Sequence, residues 1–436
     1  MNGPNVATDG PSILRGLAFG QAPQDDGEGM TVLPSLSRTR IALPFIALLI
    51  TLAFSPTLAL ADAKEKVAAL APSGLVLVLD ADGKELVAQN ADVPFVPASV
   101  TKIVTAWLAM EVLGADHRFQ TSFYLDKARV LHVRGGGDPF LVSEELALLA
   151  PKLVAAVGNK PLTGIVVDTS YQPTSLRIPG VEESARSYDA LNTALAVNFN
   201  TIQAVRRGNK VEAGEPQTPL TPLAISQFRA RGPKSGKGRV SLGQDPALSV
   251  QYAGELLAAF IAKAGGSVKG KITIGRVPAG LTPVYVHQQS RTLAEILTDM
   301  LRGSNNYIAN QVFLEIGGKR LGGPLSLEKS LKVAREILAK HDLAGAIQLV
   351  EGSGISHDNR FTARGLAKVL DLFAPHAALL VSSKDAAYKT GTLEGVRTLA
   401  GYANSSSHGR VRFVISLKSN DGALRFKLLQ AIASEL

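Results

Sequence analysis

A serine with a lysine three residues on, Ser99-Val100-Thr101-Lys102, is the first pair in this chain equipped for covalent chemistry. A serine hydroxyl is a weak nucleophile until a base takes its proton. A lysine whose pKa is lowered by burial can be that base. The spacing puts both side chains on one face of a helix. A helix start also leaves backbone N–H groups pointing outward around Ser99. Two more constellations follow in order. Ser304-Asn305-Asn306 offers a hydroxyl for a proton relay and an amide for a substrate hydrogen bond. Lys389-Thr390-Gly391-Thr392 offers a cation for a carboxylate, a glycine that lets a substrate backbone approach, and an N–H for an oxyanion. Each has an ordinary structural explanation as a cap or turn. The chain even contains decoys. Ser326-Leu327-Glu328-Lys329 reads as simple helix capping, and Lys234-Ser235-Gly236 falls out of order in a Gly-rich loop. The ordered conjunction of all three constellations is what points to acyl transfer.

Positioning these groups requires particular elements. A helix is expected over 62–71. Strands over 74–80 and 84–89 are joined by an Ala81-Asp82-Gly83 turn. After Pro97 a helical pattern opens at Ser99, with Ile103, Val104, Trp107, Leu108 and Val112 apolar, and Gly114 ends it. Helical patterns return over TLAEILTDML, NYIANQVFLEIGG and LEKSLKVAREILAKH. Two strands then cover 386–402, VRFVISLK is a third, and ALRFKLLQAIASEL is a closing helix. The middle, about 117–285, reads as short strands and turns with an Ala/Leu helix near 246–264. Within it, 200–245 reads as too short for a complete extra subdomain. The pattern predicts an α+β fold, an antiparallel sheet flanked by helices and interrupted by an inserted β-rich module. The expected division is a leader and signal peptide over 1–61, a catalytic domain over 62–120 and 285–436, and the module over 121–284.

The chain has 436 residues, a formal charge of +9, no cysteine and one tryptophan. Disulfide scaffolds, thiolate nucleophiles and Cys-bound metal sites are therefore excluded, and a base-stacking nucleic-acid groove is disfavoured. Met30 is followed by Arg38 and Arg40, an apolar run from Ile41 to Phe54, and Ala59-Leu60-Ala61. This order predicts export with cleavage before Asp62, with Met30 as the expected start and 1–29 an upstream extension. The seven histidines form no His-Glu-x-x-His, so no metal site is expected, and a serine acyl-transfer reading implies no organic cofactor. No phosphate-binding helix pattern follows Gly135-Gly136-Gly137, and Gly352-Ser353-Gly354 reads as a tight turn.

Taken with PASVTKIVTAWLAMEVLGADHRFQT (97–121), GGGDP (135–139), GIVVDTS (164–170), LRGSNNYIANQVF (301–313), EGSGISHDNRFT (351–362) and YKTGTLEGVRTLAGYA (388–403), the chain resembles the class C low-molecular-mass penicillin-binding proteins. These are the D-alanyl-D-alanine carboxypeptidase/endopeptidase group, and the resemblance spans 62–436. It implies a transpeptidase core of the penicillin-binding and serine β-lactamase kind, acting in the periplasm on peptidoglycan stem peptides. It implies Ser99 as nucleophile, Lys102 as base and Ser304, Asn306 and Lys389 as further catalytic residues, with Thr390, Gly391 and Thr392 binding substrate. β-Lactams would be covalent inhibitors. For the family's acidic contact to the diamino acid, Glu182, Glu183 and Asp189 are the candidates. A class A β-lactamase would carry Glu where Tyr188 precedes Leu191-Asn192. A murein-binding scaffold would be expected to carry a broken trio. The sequence leaves peripheral membrane contact and homodimerisation open, and gives no positive sign of nucleic-acid binding beyond its charge.

Overall fold

A computed structural model describes residues 56–436. The expected leader and the signal segment up to residue 55 lie outside them. The first helix, α1 (Pro56–Leu70), begins earlier than the expected 62–71, so the anticipated Ala61–Asp62 cleavage bond falls inside it. A hairpin follows, β1 (Leu75–Leu79) and β2 (Glu85–Gln89). A 3-10 turn over Ala98–Val100 then leads into α2 (Thr101–Leu113), which ends at Gly114.

The next stretch builds a second layer. It comprises β3 (Gln120–Leu125), β4 (Val130–Gly135), α3 (Ser143–Val157), β5 (Gly164–Asp168), β6 (Thr201–Arg207), β7 (Lys210–Ala213), α4 (Pro222–Arg231), β8 (Gly236–Ser241), α5 (Pro246–Lys263), β9 (Ile272–Ile274) and β10 (Tyr285–Gln288). Five of these strands form one sheet in the order β10-β3-β4-β5-β9. It is antiparallel on the β10 side and parallel from β4 to β9. Parallel pairing of β4 and β5 needs a crossover, and α3 supplies it. Phe123, Leu131, Val133, Ile165 and Val167 face Leu149 and Leu153 of α3 and Leu256 and Phe260 of α5. The stretch is thus mixed: α3 and α4 stand where the sequence reads as strands and turns. Pro151 inside α3 hides that helix from a pattern reading. The 200–245 stretch closes as a three-stranded sheet, β7-β6-β8, with α4 against it. Ala204, Val211, Phe228 and Val240 join the core of the five-stranded sheet, so this annex shares an interior rather than owning one.

The chain then returns to the first layer through α6 (Leu293–Gly303), α7 (Asn306–Leu321) and α8 (Leu327–Lys340). A two-residue pair, β11 (Ile347–Gln348) and β12 (Arg360–Phe361), brackets the 349–359 loop. After α9 (Ala363–Phe373) come β13 (Val381–Ser382), β14 (Ala386–Leu393), β15 (Val396–Ser405), β16 (Gly409–Lys418) and α10 (Leu424–Glu435). The main sheet is antiparallel with the order β13-β14-β15-β16-β1-β2. Its period-2 alternation serves both faces. Val76, Val78, Leu399, Phe413 and Ile415 pack on Ala63 and Val67 of α1 and on Leu428 and Ile432 of α10. On the opposite face α9 packs on β1 and β16, with Tyr402 donating to the Leu370 carbonyl of α9.

Candidate active site

Ser99 is partly exposed, between buried Ala98 and Val100, on the turn that opens α2. Ala98 holds φ +49°, left-handed backbone that a residue with a Cβ rarely adopts. The surroundings pin it there. Thr398 Oγ1 donates to the Pro97 carbonyl at 2.8 Å. Gly354 lies so close that a Cβ on it would stand 1.8 Å from the Ala98 oxygen. The strained turn therefore presents the Ser99 hydroxyl where a smooth helix start would not.

Lys102 lies fully buried one turn on. Its Nζ contacts Ser99 Oγ at 3.0 Å, Asn306 Oδ1 at 2.7 Å and the Ser353 carbonyl at 2.7 Å. Burial lowers its pKa to about 7, and the nearby negative charge of Glu351 opposes part of that fall. The contact set also orients the lone pair. The Asn306 and Ser353 oxygens can only accept, so they take the two N–H bonds of a neutral amine. The lone pair is then left for the Ser99 O–H.

The joint between α6 and α7 brings in Asn306. Ser304 closes α6 with φ +50°, and Asn305 caps α7 by accepting from the Ile308 N–H at 3.1 Å. Two residues of turn thus hold Ser304 and Asn306 at adjoining helix ends. Lys389 on β14 is buried, and its pKa is lowered by burial first, then by Lys102 and Arg425. Its Nζ donates to the Thr390 carbonyl at 2.8 Å. Gly391 is required by crowding. A Cβ there would stand 2.9 Å from the Pro97 oxygen and 3.0 Å from the Ser99 nitrogen. The edge of β14 therefore lies directly against the Ser99 turn, and exposed Thr392 follows.

Several groups at this site escape pattern reading. Arg425 of α10 donates to the Gly391 carbonyl at 2.9 Å and to Thr392 Oγ1 at 3.1 Å, and nothing in its local sequence marks it. Thr105 Oγ1 donates to the Gly352 carbonyl at 2.6 Å, and Asn310 Oδ1 accepts the Gly352 N–H at 2.8 Å. Together they seat the 349–359 loop on α2 and α7. That loop carries the EGSGIS stretch, whose Gly-Ser-Gly does form a tight turn, with Gly354 at φ +82°. The decoys resolve as structure. Ser326 accepts from the Lys329 N–H at 3.2 Å, and Lys329 Nζ caps the Gly322 and Pro324 carbonyls. Lys234 and Ser235 are exposed ahead of β8. Gly136 lies where a Cβ would meet the Gln120 oxygen at 2.1 Å, which explains the glycine run by packing. Glu182 and Glu183 are exposed, whereas Asp189 is buried, accepting from the Glu182 N–H and from Ser184 Oγ.

The family model described as the D-Ala-D-Ala carboxypeptidase 3 (S13) family matches residues 58–235 and 239–383. The chain belongs to the S13 family. It is thereby a serine-type carboxypeptidase, a hydrolase, of the low-molecular-mass class C penicillin-binding kind. It is 26% identical to a D-alanyl-D-alanine carboxypeptidase of Actinomadura sp. (strain R39), over 84% of this chain and 81% of that protein. It is 28% identical to carboxypeptidase DacB of Mycolicibacterium smegmatis, over 82% and 79% respectively. The crystal structure of penicillin binding protein 4 (dacB) from Haemophilus influenzae superposes with a TM-score of 0.69 at 20% identity, covering 84% of this chain and 98% of that one. The S13 match ends at residue 383, so the Lys389 constellation joins the site through the geometry of β14.

Proposed function

We propose that this S13 chain cleaves D-Ala-D-Ala termini of peptidoglycan stem peptides, and D-Ala–diamino-acid cross-links, through an acyl-enzyme on Ser99. Neutral Lys102 takes the Ser99 proton as Oγ bonds to the carbonyl carbon of the penultimate D-Ala. The Ser99 and Thr392 N–H groups hold the oxyanion. The C–N bond then breaks, and Ser304 passes a proton to the leaving amine. Asn306 hydrogen-bonds the substrate amide, and Lys389 with Thr390 holds the terminal carboxylate across Gly391. Water hydrolyses the ester and regenerates Ser99. β-Lactams acylate the same serine. The observation that carries this reading is Lys102, buried, 3.0 Å from Ser99 Oγ and with its pKa lowered to about 7.

The substrate lies in the cell wall, so the reading includes export to the periplasm and a catalytic domain over 62–120 and 285–436 that carries 121–284 as an insertion. Among the described residues no helix is long and apolar enough to cross a membrane. The test incubates the 62–436 protein and its Ser99→Ala variant with cross-linked, pentapeptide-rich sacculi. Ser99-dependent conversion of pentapeptides to tetrapeptides, or of dimers to monomers, is expected, and the product ratio names the dominant cleavage. Unchanged muropeptides with folded protein would refute the reading.

A further inference from the structure

We infer that Glu351 is a positioning residue for acylation: its buried carboxylate shapes the 349–359 loop so that the Ser353 carbonyl meets Lys102, and it supplies the negative charge that Lys102 faces. The inference rests on Lys102 acting as the base.

Glu351 is fully buried in a loop. Its Oε2 accepts from the Ser353 N–H at 2.7 Å and from Ser353 Oγ at 2.6 Å. Its Oε1 accepts from the Gly354 N–H at 2.7 Å, Asn359 Nδ2 at 2.7 Å and, more distantly, the Ser356 N–H at 3.4 Å. All five donors are neutral, and among the described residues it makes no ion pair. A carboxylate is costly to bury without a countercharge, and five neutral dipoles only spread its charge. A glutamine or serine would organise a turn at lower cost. The charge becomes intelligible across one peptide. Ser353, gripped through both N–H and Oγ, turns its carbonyl to Lys102 Nζ at 2.7 Å. Lys102 is likewise buried and, among the described residues, touches no carboxylate; its polar contacts there are Ser99, Asn306 and Ser353.

The charges around Lys102 can be enumerated by element. The 349–359 loop brings Glu351, and β14 brings Lys389, with Arg425 of α10 behind it. The α7 helix brings the neutral Asn306 and Asn310. The α6 and α9 helices, also packed on α2, make no polar contact with Lys102. Among the described residues Glu351 is therefore the one negative charge shown acting on Lys102, and it offsets part of the burial that weakens the ammonium. Removing it makes Lys102 neutral at lower pH but a poorer base.

The test is the pH dependence of Ser99 acylation by benzylpenicillin, followed by mass spectrometry on the wild-type protein, Glu351→Gln and Glu351→Asp. Wild type is expected to show an acid limb set by Lys102. In Glu351→Gln the limb moves to lower pH by about one unit and the plateau rate falls. In Glu351→Asp the charge is kept, so the limb stays while the rate falls. A Gln variant with a slow plateau and an unmoved limb makes Glu351 a loop organiser only and overturns the inference. If the Gln variant does not fold, Glu351→Asn beside Glu351→Asp decides: a limb at lower pH in Asn than in Asp supports the inference, and coincident limbs overturn it. A wild-type protein that is not acylated on Ser99, or that shows no acid limb, removes the base assignment itself, and the inference falls with it.

Discussion

Whether Lys102 can act as a base turns on two oxygens that cannot donate. The Asn306 and Ser353 carbonyl oxygens, each 2.7 Å from Nζ, leave the lone pair of the neutral amine to Ser99. Replacing Lys102 with arginine keeps charge and length but removes the neutral state, because a guanidinium does not lose its proton in this range. Acylation of Ser99 by benzylpenicillin in Lys102→Arg is expected to slow by roughly 10²–10⁴-fold, the range for losing a general base, with the protein still folded by circular dichroism. A rate within tenfold of wild type would remove Lys102 from the proton path. In the wild type, hydrolysis should rise as pH passes upward through about 7, the lowered lysine pKa. The three constellations are legible in the sequence because each packs its groups into four residues or fewer. The company they keep is not legible. Ser353 meets Lys102 from 251 residues away, in a stretch that reads only as a tight turn, and Arg425 meets Gly391 from 34 residues away, at a position with no motif of its own.

Two elements carry most of the site, β14 and α7. The edge of β14 touches the Ser99 turn only because Gly391 has no Cβ. In Gly391→Ala the new methyl would meet Thr398 Oγ1 at 2.1 Å and the Pro97 oxygen at 2.9 Å. The strand must move away from Ser99, taking the Thr392 N–H out of reach of an oxyanion. A loss of about 10²-fold or more in acylation is expected, the size of losing one oxyanion donor, with only a modest fall in melting temperature. Equal losses of activity and stability would mean the glycine is merely structural. The α7 helix carries a different liability. Glu315 is buried beneath the Tyr171 hydroxyl, which donates to both its oxygens at 3.0 Å, and burial raises its pKa to about 7. A carboxyl raised in the folded state gives its full stability below its ordinary value and loses it as pH rises through the folded pKa. Between pH 5 and pH 8 the stability of wild type relative to Glu315→Gln should therefore fall by on the order of 2–3 kcal/mol. Asp138, raised to about 6, acts in the same direction and Lys102 and Lys389, both lowered, in the opposite one, and all three are common to the two proteins and cancel in that difference. Denaturant unfolding at the two pH values reads this directly, and parallel curves for wild type and variant would contradict it. Strongly periodic elements such as α6 and α8 are legible in sequence. The helix α4, led by Pro222 and capped by the Thr221 side chain, is not, because its apolar positions do not repeat cleanly.

At the scale of the molecule, β1 and β16 join opposite ends of the described chain in one sheet, pairing Leu75 with Ser416 and Leu79 with Arg412. No local pattern announces that pairing. It follows from the hairpin and the C-terminal meander each having an unsatisfied edge. The five-stranded sheet and its annex fill the interval between the first and second constellations without contributing to either. Their surface chemistry is lopsided: residues 201–241 carry eight Lys or Arg against two Glu, within a chain of net +9. Glu212 pairs with Arg207 and Lys210, and Glu215 with Arg239, which leaves Lys234 and Lys237 exposed on the β8 side with no ion pair among the described residues. Peptidoglycan stems bear carboxylates, so this annex should draw the enzyme to its polymer by a screened, long-range attraction. Co-sedimentation of the Ser99→Ala protein with sacculi is expected to weaken severalfold between about 50 and 500 mM NaCl, since the Debye length shrinks from about 14 to about 4 Å. Reversing Lys210, Lys234 and Lys237 to glutamate should flatten that salt dependence while leaving benzylpenicillin acylation of the Ser99 protein unchanged, because none of the three touches the site. Salt-independent sedimentation would assign the excess charge to solubility, and slowed acylation in the reversed variant would show that the annex reaches the catalytic layer after all.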